Sequence, residues 1–168
     1  IHAPYLEWLN HLETRKHIDW SLLGQECEPL ARLTEATVGI PALPGNALEL
    51  IDNAEDVFRA IIADIDAAKR TCHMVLYIWG NGGTADEVAE ALIRASARGV
   101  ICRILLDDVG SMDFLRSDMA GRMRGAGIQL RAALPVGLVR AVFVRFDLRM
   151  HRKIVVIDNQ ITYCGSQN

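Results

Sequence analysis

From residue 46 onward, short apolar runs alternate with stretches in which apolar positions recur every three or four residues, a pattern that predicts an α/β fold. A short strand is expected over 48–51. Asn53 then caps a helix, with Asp56 three residues on resembling a capping box. That helix sets Val57, Ile61, Ile65 and Ala68 on one side and carries Lys69 and Arg70 in its last turn. A buried strand over 74–79, a turn at Asn81-Gly82-Gly83 and a second helix over 86–98, ended by Gly99, come next. The strand over 100–106 runs into Asp107, Asp108 and Gly110-Ser111. A weaker helix over 113–124 and a strand over 128–132 follow. Such alternation implies right-handed crossovers and parallel pairing. The last thirty or so residues break it: strands over 149–157 and 161–165 are separated only by Asp158-Asn159-Gln160, which suits an antiparallel hairpin with Asn159 in the left-handed region. The expected architecture is a mixed β-sheet flanked by helices on both faces.

Residues 1–45 read as a lead-in segment ahead of a lobe spanning 46–168. Leu6, Leu9 and Leu12 with Trp8 show helical spacing, Trp8 and Trp20 read as anchors, and Pro41 with Pro44-Gly45 ends any regular element. The chain has 168 residues, 51% of them hydrophobic, enough for a sizeable core. No window holds the roughly 18 uninterrupted apolar residues of a membrane span, so the segment itself is read as soluble. It opens on Ile1 and stops at Asn168, so both ends read as cut and an upstream membrane anchor stays open.

Cys27, Cys72, Cys102 and Cys164 form no CxxC pair and share no zinc spacing with the histidines. Cys72, Cys102 and Cys164 lie in or beside apolar runs and read as small buried hydrophobes. The net charge of −3 hides an asymmetry: residues 121–153 hold eight Lys or Arg against the single acid Asp147. A solvated face and a surface that meets an anion both fit this pattern. Residues 134–146 are apolar with interspersed arginines. They are read either as core or as an interfacial segment with Leu138, Val142 and Phe143 towards acyl chains and Arg140 and Arg145 on headgroups.

His151 and Lys153 are two apart in an extended stretch, so both project from one face. A histidine beside a lysine makes no apolar core; it offers an imidazole for nucleophilic or proton-transfer work and a point charge for a phosphate oxygen. Past the hairpin, Ser166 and Asn168 also share one parity, and Gly165 removes a side chain where close approach is needed. Asp158 has the opposite parity to His151, which points it to the turn or to a neighbouring backbone.

These residues spell His-x-Lys-x4-Asp-x6-Gly-Ser-x-Asn, and His151–Asn168 resembles the HKD motif of the phospholipase D superfamily. Within it the chain resembles the N-terminal half of a bacterial cardiolipin synthase from about Leu48 to its end. The likeness includes Tyr77-Ile78-Trp79-Gly80-Asn81-Gly82-Gly83, Glu87-Val88-Ala89-Glu90-Ala91-Leu92, Leu105-Leu106-Asp107-Asp108-Val109-Gly110-Ser111 and Val144-Arg145-Phe146-Asp147-Leu148-Arg149. Asn81 and Gly82 stand where the family usually has acidic residues, so a role for an acidic turn does not carry over.

The resemblance implies a phospholipase D-like lobe with His151, Lys153 and Asp158 as the catalytic residues of the motif and with Lys153, Ser166 and Asn168 on the phosphate. It implies a two-step transfer through phosphohistidine, making cardiolipin from two phosphatidylglycerol molecules without metal or other cofactor. His2, His11, His17 and His73 form no second His-x-Lys, so the resemblance also implies a second HKD lobe, from the same chain or a second copy. The expected setting is the cytoplasmic face of a bacterial membrane, with an anionic lipid surface and not nucleic acid as partner. Two other readings compete: a single-motif nuclease or phosphodiesterase acting as a homodimer, and a degenerate lobe kept for lipid binding or pairing.

Overall fold

The computed structural model describes residues 18–134 and 150–166, and it divides the chain into two compact units, Ile1–Leu50 and Ile51–Asn168. The boundary lies beyond the division expected after residue 45. The periodicity at Leu6, Trp8, Leu9 and Leu12, the histidines His2, His11 and His17, the candidate interfacial residues Leu138, Arg140, Val142, Phe143 and Arg145, the stretch 144–149 and Asn168 lie outside the described residues.

In the first unit, Asp19 accepts from the Ser21 N–H at 3.0 Å and opens a 3-10 turn, Trp20–Leu22. Helix α1 (Cys27–Val38) follows, with a Glu28–Arg32 pair at 2.6 Å, and ends at Gly39, whose φ of 72° favours glycine. The strand expected over 48–51 does not form. Leu48 and Leu50 are almost fully exposed and belong to no strand of the sheet; an apolar run without a neighbouring ladder has nothing to take its backbone hydrogen bonds.

The second unit begins with Asn53. Its Oδ1 accepts from the Glu55 and Asp56 N–H groups at 2.9 and 3.3 Å, and its Nδ2 donates to Asp56 Oδ2 at 2.9 Å, so the start of helix α2 (Ala54–Ala67) is satisfied from both sides. Ile61 and Ile65 are buried with Ala68, and Val57 packs at the margin. Because α2 stops at Ala67, Lys69 and Arg70 fall past its last turn and not within it. Strand β1 (Thr71–Leu76), helix α3 (Thr84–Ala97), strand β2 (Ile101–Asp107), short helices α4 (Met112–Leu115) and α5 (Asp118–Gly125), and strands β3 (Gln129–Ala133), β4 (Ile154–Ile157) and β5 (Ile161–Cys164) complete it. The single helix expected over 113–124 is two, because Ser117 leaves helical geometry and caps α5 with its hydroxyl on the Ala120 N–H.

The strands form one mixed sheet in the order β3-β2-β1-β4-β5. β1 pairs parallel with β2 and β2 with β3, while β4 runs antiparallel to both β1 and β5. Alternation along the strands buries Cys72, Met74, Leu76, Cys102, Ile104, Leu106, Leu130, Val155 and Ile157 beneath α2, α3 and α5. The mixed sheet flanked by helices is as expected, but helices on both faces are not found among the described residues, because the crossovers from β1 to β2 and from β2 to β3 step in one direction along the sheet and so fall on one side. Among the described residues the three longer helices of this unit share one face, and the other presents half-buried Val75, Leu105 and Val156 with exposed Arg103 and Arg131. Burial pushes the Cys72 thiol up to about 12 and the Cys102 thiol to about 11, which leaves both as inert core residues. Cys164 is exposed instead of buried, because it pairs with Ile154 on the face opposite to buried Val155 and Ile157, in a strand that ends the sheet among the described residues.

Asp158 closes the β4–β5 hairpin at φ 52°, followed by Asn159 at φ 57°. Its carboxylate accepts from three successive N–H groups, Lys69 at 2.9 Å and Arg70 and Thr71 at 2.8 Å, and its own N–H donates to the Thr71 carbonyl at 2.9 Å. The hairpin is thereby pinned to the start of β1. The Thr71 and Lys69 N–H groups hold this carboxyl below its usual range, with the Arg70 N–H adding to them.

Two outcomes follow. Leu92 of α3 is wholly buried, so Leu92→Ala lowers unfolding free energy by roughly 2–5 kcal/mol in denaturant titrations. Asp158→Asn lowers the melting temperature at neutral pH. Since the folded carboxyl titrates below the ordinary value of about 3.9, its contribution is complete above that value and disappears as pH falls through the lower folded one. The melting temperatures of wild type and variant therefore converge in acid; a gap that stayed constant would remove the anchoring role.

Candidate active site

The antiparallel pairing of β4 with β1 decides where the motif residues lie. Val75 is in register with Ile154, so the end of β1 meets the start of β4, and the residues just past one strand face those just before the other. Tyr77 comes next after β1; His151 and Lys153 come just ahead of β4. The Tyr77 and His151 rings pack with centroids 4.2 Å apart at 47°, and the Lys153 ammonium stands 5.7 Å from the centre of the same Tyr77 ring. Lys153 Nζ also lies 3.4 Å from the His151 carbonyl oxygen. The imidazole and the ammonium thus share one aromatic wall, with His151 exposed and Lys153 half-buried. The β4–β5 register, Ile154 opposite Cys164, carries Gly165 and exposed Ser166 to the same edge of the sheet.

The spacing of the motif does not single out Tyr77; its place in the apolar run before Asn81 is the available signal. Its position is set from behind by residues 107–111. A Cβ on Gly110 would fall 2.4 Å from the Tyr77 carbonyl oxygen and 3.1 Å from its ring, so only glycine lets the loop approach this closely. Ser111, buried, donates its hydroxyl to the Tyr77 carbonyl at 3.1 Å and accepts from the Trp79 N–H at 2.9 Å. Trp79 stacks on Phe114 with ring centroids 5.0 Å apart. Asp107, fully buried at the end of β2, accepts from Val109 and Gly110 and from the Met150 N–H.

Asp158 does not join this group. It follows the far end of β4 and bonds the backbone at the start of β1, whereas His151 packs beyond the end of β1. The expectation of a catalytic Asp158 gives way to an anchoring one, because parity and the hairpin turn carry its carboxylate to the opposite rim. His73 is half-buried within β1, its Nε2 3.2 Å from Arg103 Nη1. A guanidinium only donates, so Nε2 accepts and this imidazole is already engaged. The basic residues of 121–153 do not gather into one patch among the described residues: Arg122 pairs with Glu90 at 2.6 Å, and Arg131 stands on the other side of the sheet.

What remains at the rim is a solvent-facing imidazole, an ammonium beside it and a nearby hydroxyl. These can attack or protonate at a phosphorus centre while neutralising its oxygens. A metal would need a donor cluster, and no group of three or more His, Cys, Asp or Glu able to hold one occurs among the described residues.

The family described as "Cardiolipin synthase, PLD-like domain" matches residues 61–168. Cardiolipin synthase A of Cronobacter sakazakii is 47% identical over 162 residues, 96% of this chain, and that of Klebsiella pneumoniae subsp. pneumoniae is 48% identical over the same length. The chain spans about a third of these relatives, 33% of each. Among solved structures it is similar to a phospholipase D family member, Nuc, from Salmonella typhimurium, with a TM-score of 0.48 and 25% identity over 64% of this chain and 61% of that one. NucT from Helicobacter pylori gives a TM-score of 0.48 with 18% identity over 68% of this chain and 67% of that one.

Proposed function

The chain belongs to the phospholipase D-like cardiolipin synthase family, and from that premise we propose that it supplies one half of a phosphatidyltransferase site that makes cardiolipin from two phosphatidylglycerol molecules. The observation that carries this reading is the convergence of His151 and Lys153 on the Tyr77 ring at an open rim of the sheet. Identity of 47% to a cardiolipin synthase A over nearly the whole chain supports the choice of lipid.

In the proposed reaction two imidazoles divide the work, and His151 is one of them. An imidazole nitrogen attacks the phosphorus of phosphatidylglycerol; the N–P bond forms as the P–O bond to glycerol breaks. The second imidazole gives its proton to the departing glycerol oxygen. It then takes a proton from the hydroxyl of another phosphatidylglycerol, whose oxygen displaces the histidine and restores the enzyme with retention at phosphorus. Lys153, Ser166 and Asn168 bear on the phosphoryl oxygens, where charge grows in each displacement. Asp158 has no part in either step; it holds the hairpin.

The second imidazole is not His73, which Arg103 engages within β1. It comes from another HKD lobe, later in the same polypeptide or in a second copy. The expected setting is the cytoplasmic face of a bacterial membrane, where both lipids lie. Among the described residues no helix is long and apolar enough to cross a membrane.

The test uses the full-length protein with phosphatidylglycerol vesicles, measuring released glycerol and newly formed cardiolipin. His151→Ala lowers kcat on the order of 10³-fold or more, the scale of losing one member of a unit that acts together. Lys153→Ala costs about 10²–10³-fold, as for loss of one oxyanion donor. Normal transfer by the His151 variant, or cleavage of nucleic acid with no lipid transfer by the wild type, would sink the proposal. Residues 1–168 alone, assayed as a monomer, turn over no lipid; robust activity there would refute the half-site.

A further inference from the structure

Asp107 and Ser111 are the buried polar side chains among the described residues; one ends β2 and the other lies in the loop behind Tyr77 that follows it. Withdrawing a carboxylate from water is costly unless its oxygens are met by donors. Here Oδ1 accepts from Val109 at 3.1 Å and Gly110 at 3.0 Å, while Oδ2 accepts from the Met150 N–H at 3.4 Å. The last donor lies in the residue directly ahead of His151. The first two hold the loop in the form that seats Gly110 against Tyr77 and lets Ser111 grip the Tyr77 carbonyl and the Trp79 N–H.

We infer that Asp107 is a positioning residue for His151: it fixes the spacing between the imidazole's backbone and the aromatic wall on which the imidazole packs. The inference rests on the proposed reading of His151 as a reacting group. One side chain binds both parts of that spacing, because its two oxygens accept from different segments. Both acceptors are required. An asparagine of the same shape keeps one oxygen and turns an amide N–H₂ towards a backbone donor, so it holds one partner and repels the other. Loss of the Met150 bond frees the segment carrying His151; loss of the Val109 and Gly110 bonds frees the loop under Tyr77. Either way the imidazole leaves the geometry in which it meets phosphorus.

The experiment compares wild type, Asp107→Asn and His151→Ala in the full-length protein on phosphatidylglycerol vesicles. It measures kcat, KM, the melting temperature and, by rapid quench, the formation of phosphohistidine. For Asp107→Asn, kcat per folded molecule falls about 10- to 100-fold, the scale of a misplacement near 1 Å, and KM stays within about twofold. Phosphohistidine forms correspondingly more slowly. Where too little folded Asp107→Asn is obtained, Met150→Pro deletes the same hydrogen bond from the donor's side and gives the same selective loss in kcat. Unchanged kcat per folded molecule, or a loss fully accounted for by the unfolded fraction at the assay temperature, overturns the inference while leaving His151 as the reacting group. A fully active His151→Ala overturns both.

Discussion

The placement of the site depends on one reversal of chain direction. β1 and β2 run parallel, as helical crossovers require, whereas β4 enters beside β1 in the opposite sense. Had β4 been parallel, the residues ahead of it would have emerged at the start of β1, against the Lys69–Thr71 backbone. Because it is antiparallel, they emerge at the end of β1, where Tyr77 and the loop after β2 already converge. Ligand sites in open α/β sheets form at the carboxyl ends of parallel strands, and the reversed strand delivers its histidine and lysine to that rim.

The same reversal explains the spacing within the motif. His151 and Asp158 are separated by little more than the length of β4, so the two ends of one short strand carry different groups: the imidazole and ammonium at one rim, a backbone anchor at the other. Asp158 fixes where β4 ends against Thr71, and a strand of rigid repeat transmits that registration to its beginning. The placement of His151 and Lys153 thus depends on an acid that bonds the backbone at the opposite rim. Behind the pair, Asp107, Gly110 and Ser111 contribute no reactive group to the surface, only an arrangement of hydrogen bonds and a missing Cβ.

Much of this is legible in the residues. The cap at Asn53, the helix stop at Gly99 and the hairpin at Asp158-Asn159-Gln160 each follow from local chemistry that the tertiary structure leaves intact. Other features need the third dimension. The apolar run 74–79 suggests a strand reaching Trp79, yet β1 stops at Leu76, because Trp79 leaves the ladder to stack on Phe114. Of the strand expected over 149–157, residues 150–153 likewise stay outside it, since the ladder with β1 begins only where Ile154 meets Val75. Cys164 resembles a core residue by its neighbours and is placed outside by lying on an edge strand. Asp107 reads in sequence as an ordinary acid after a strand; its burial depends on a donor from Met150, forty-three positions later.

The order β3-β2-β1-β4-β5 also bears on how the chain assembles. β1 and β2 are joined by one short crossover, but Cys72 finds its β4 partner only at Ile157. During synthesis, therefore, one edge of β1 stays unpaired until almost all of the described chain has left the ribosome. Such long-range pairing is slow, and a bare central strand invites pairing with other chains. The step that brings His151 and Lys153 to the rim beside Tyr77 is thus also the step that pairs the open edge of β1, so a molecule that has escaped this hazard of its own biogenesis has, by the same event, set both side chains in place.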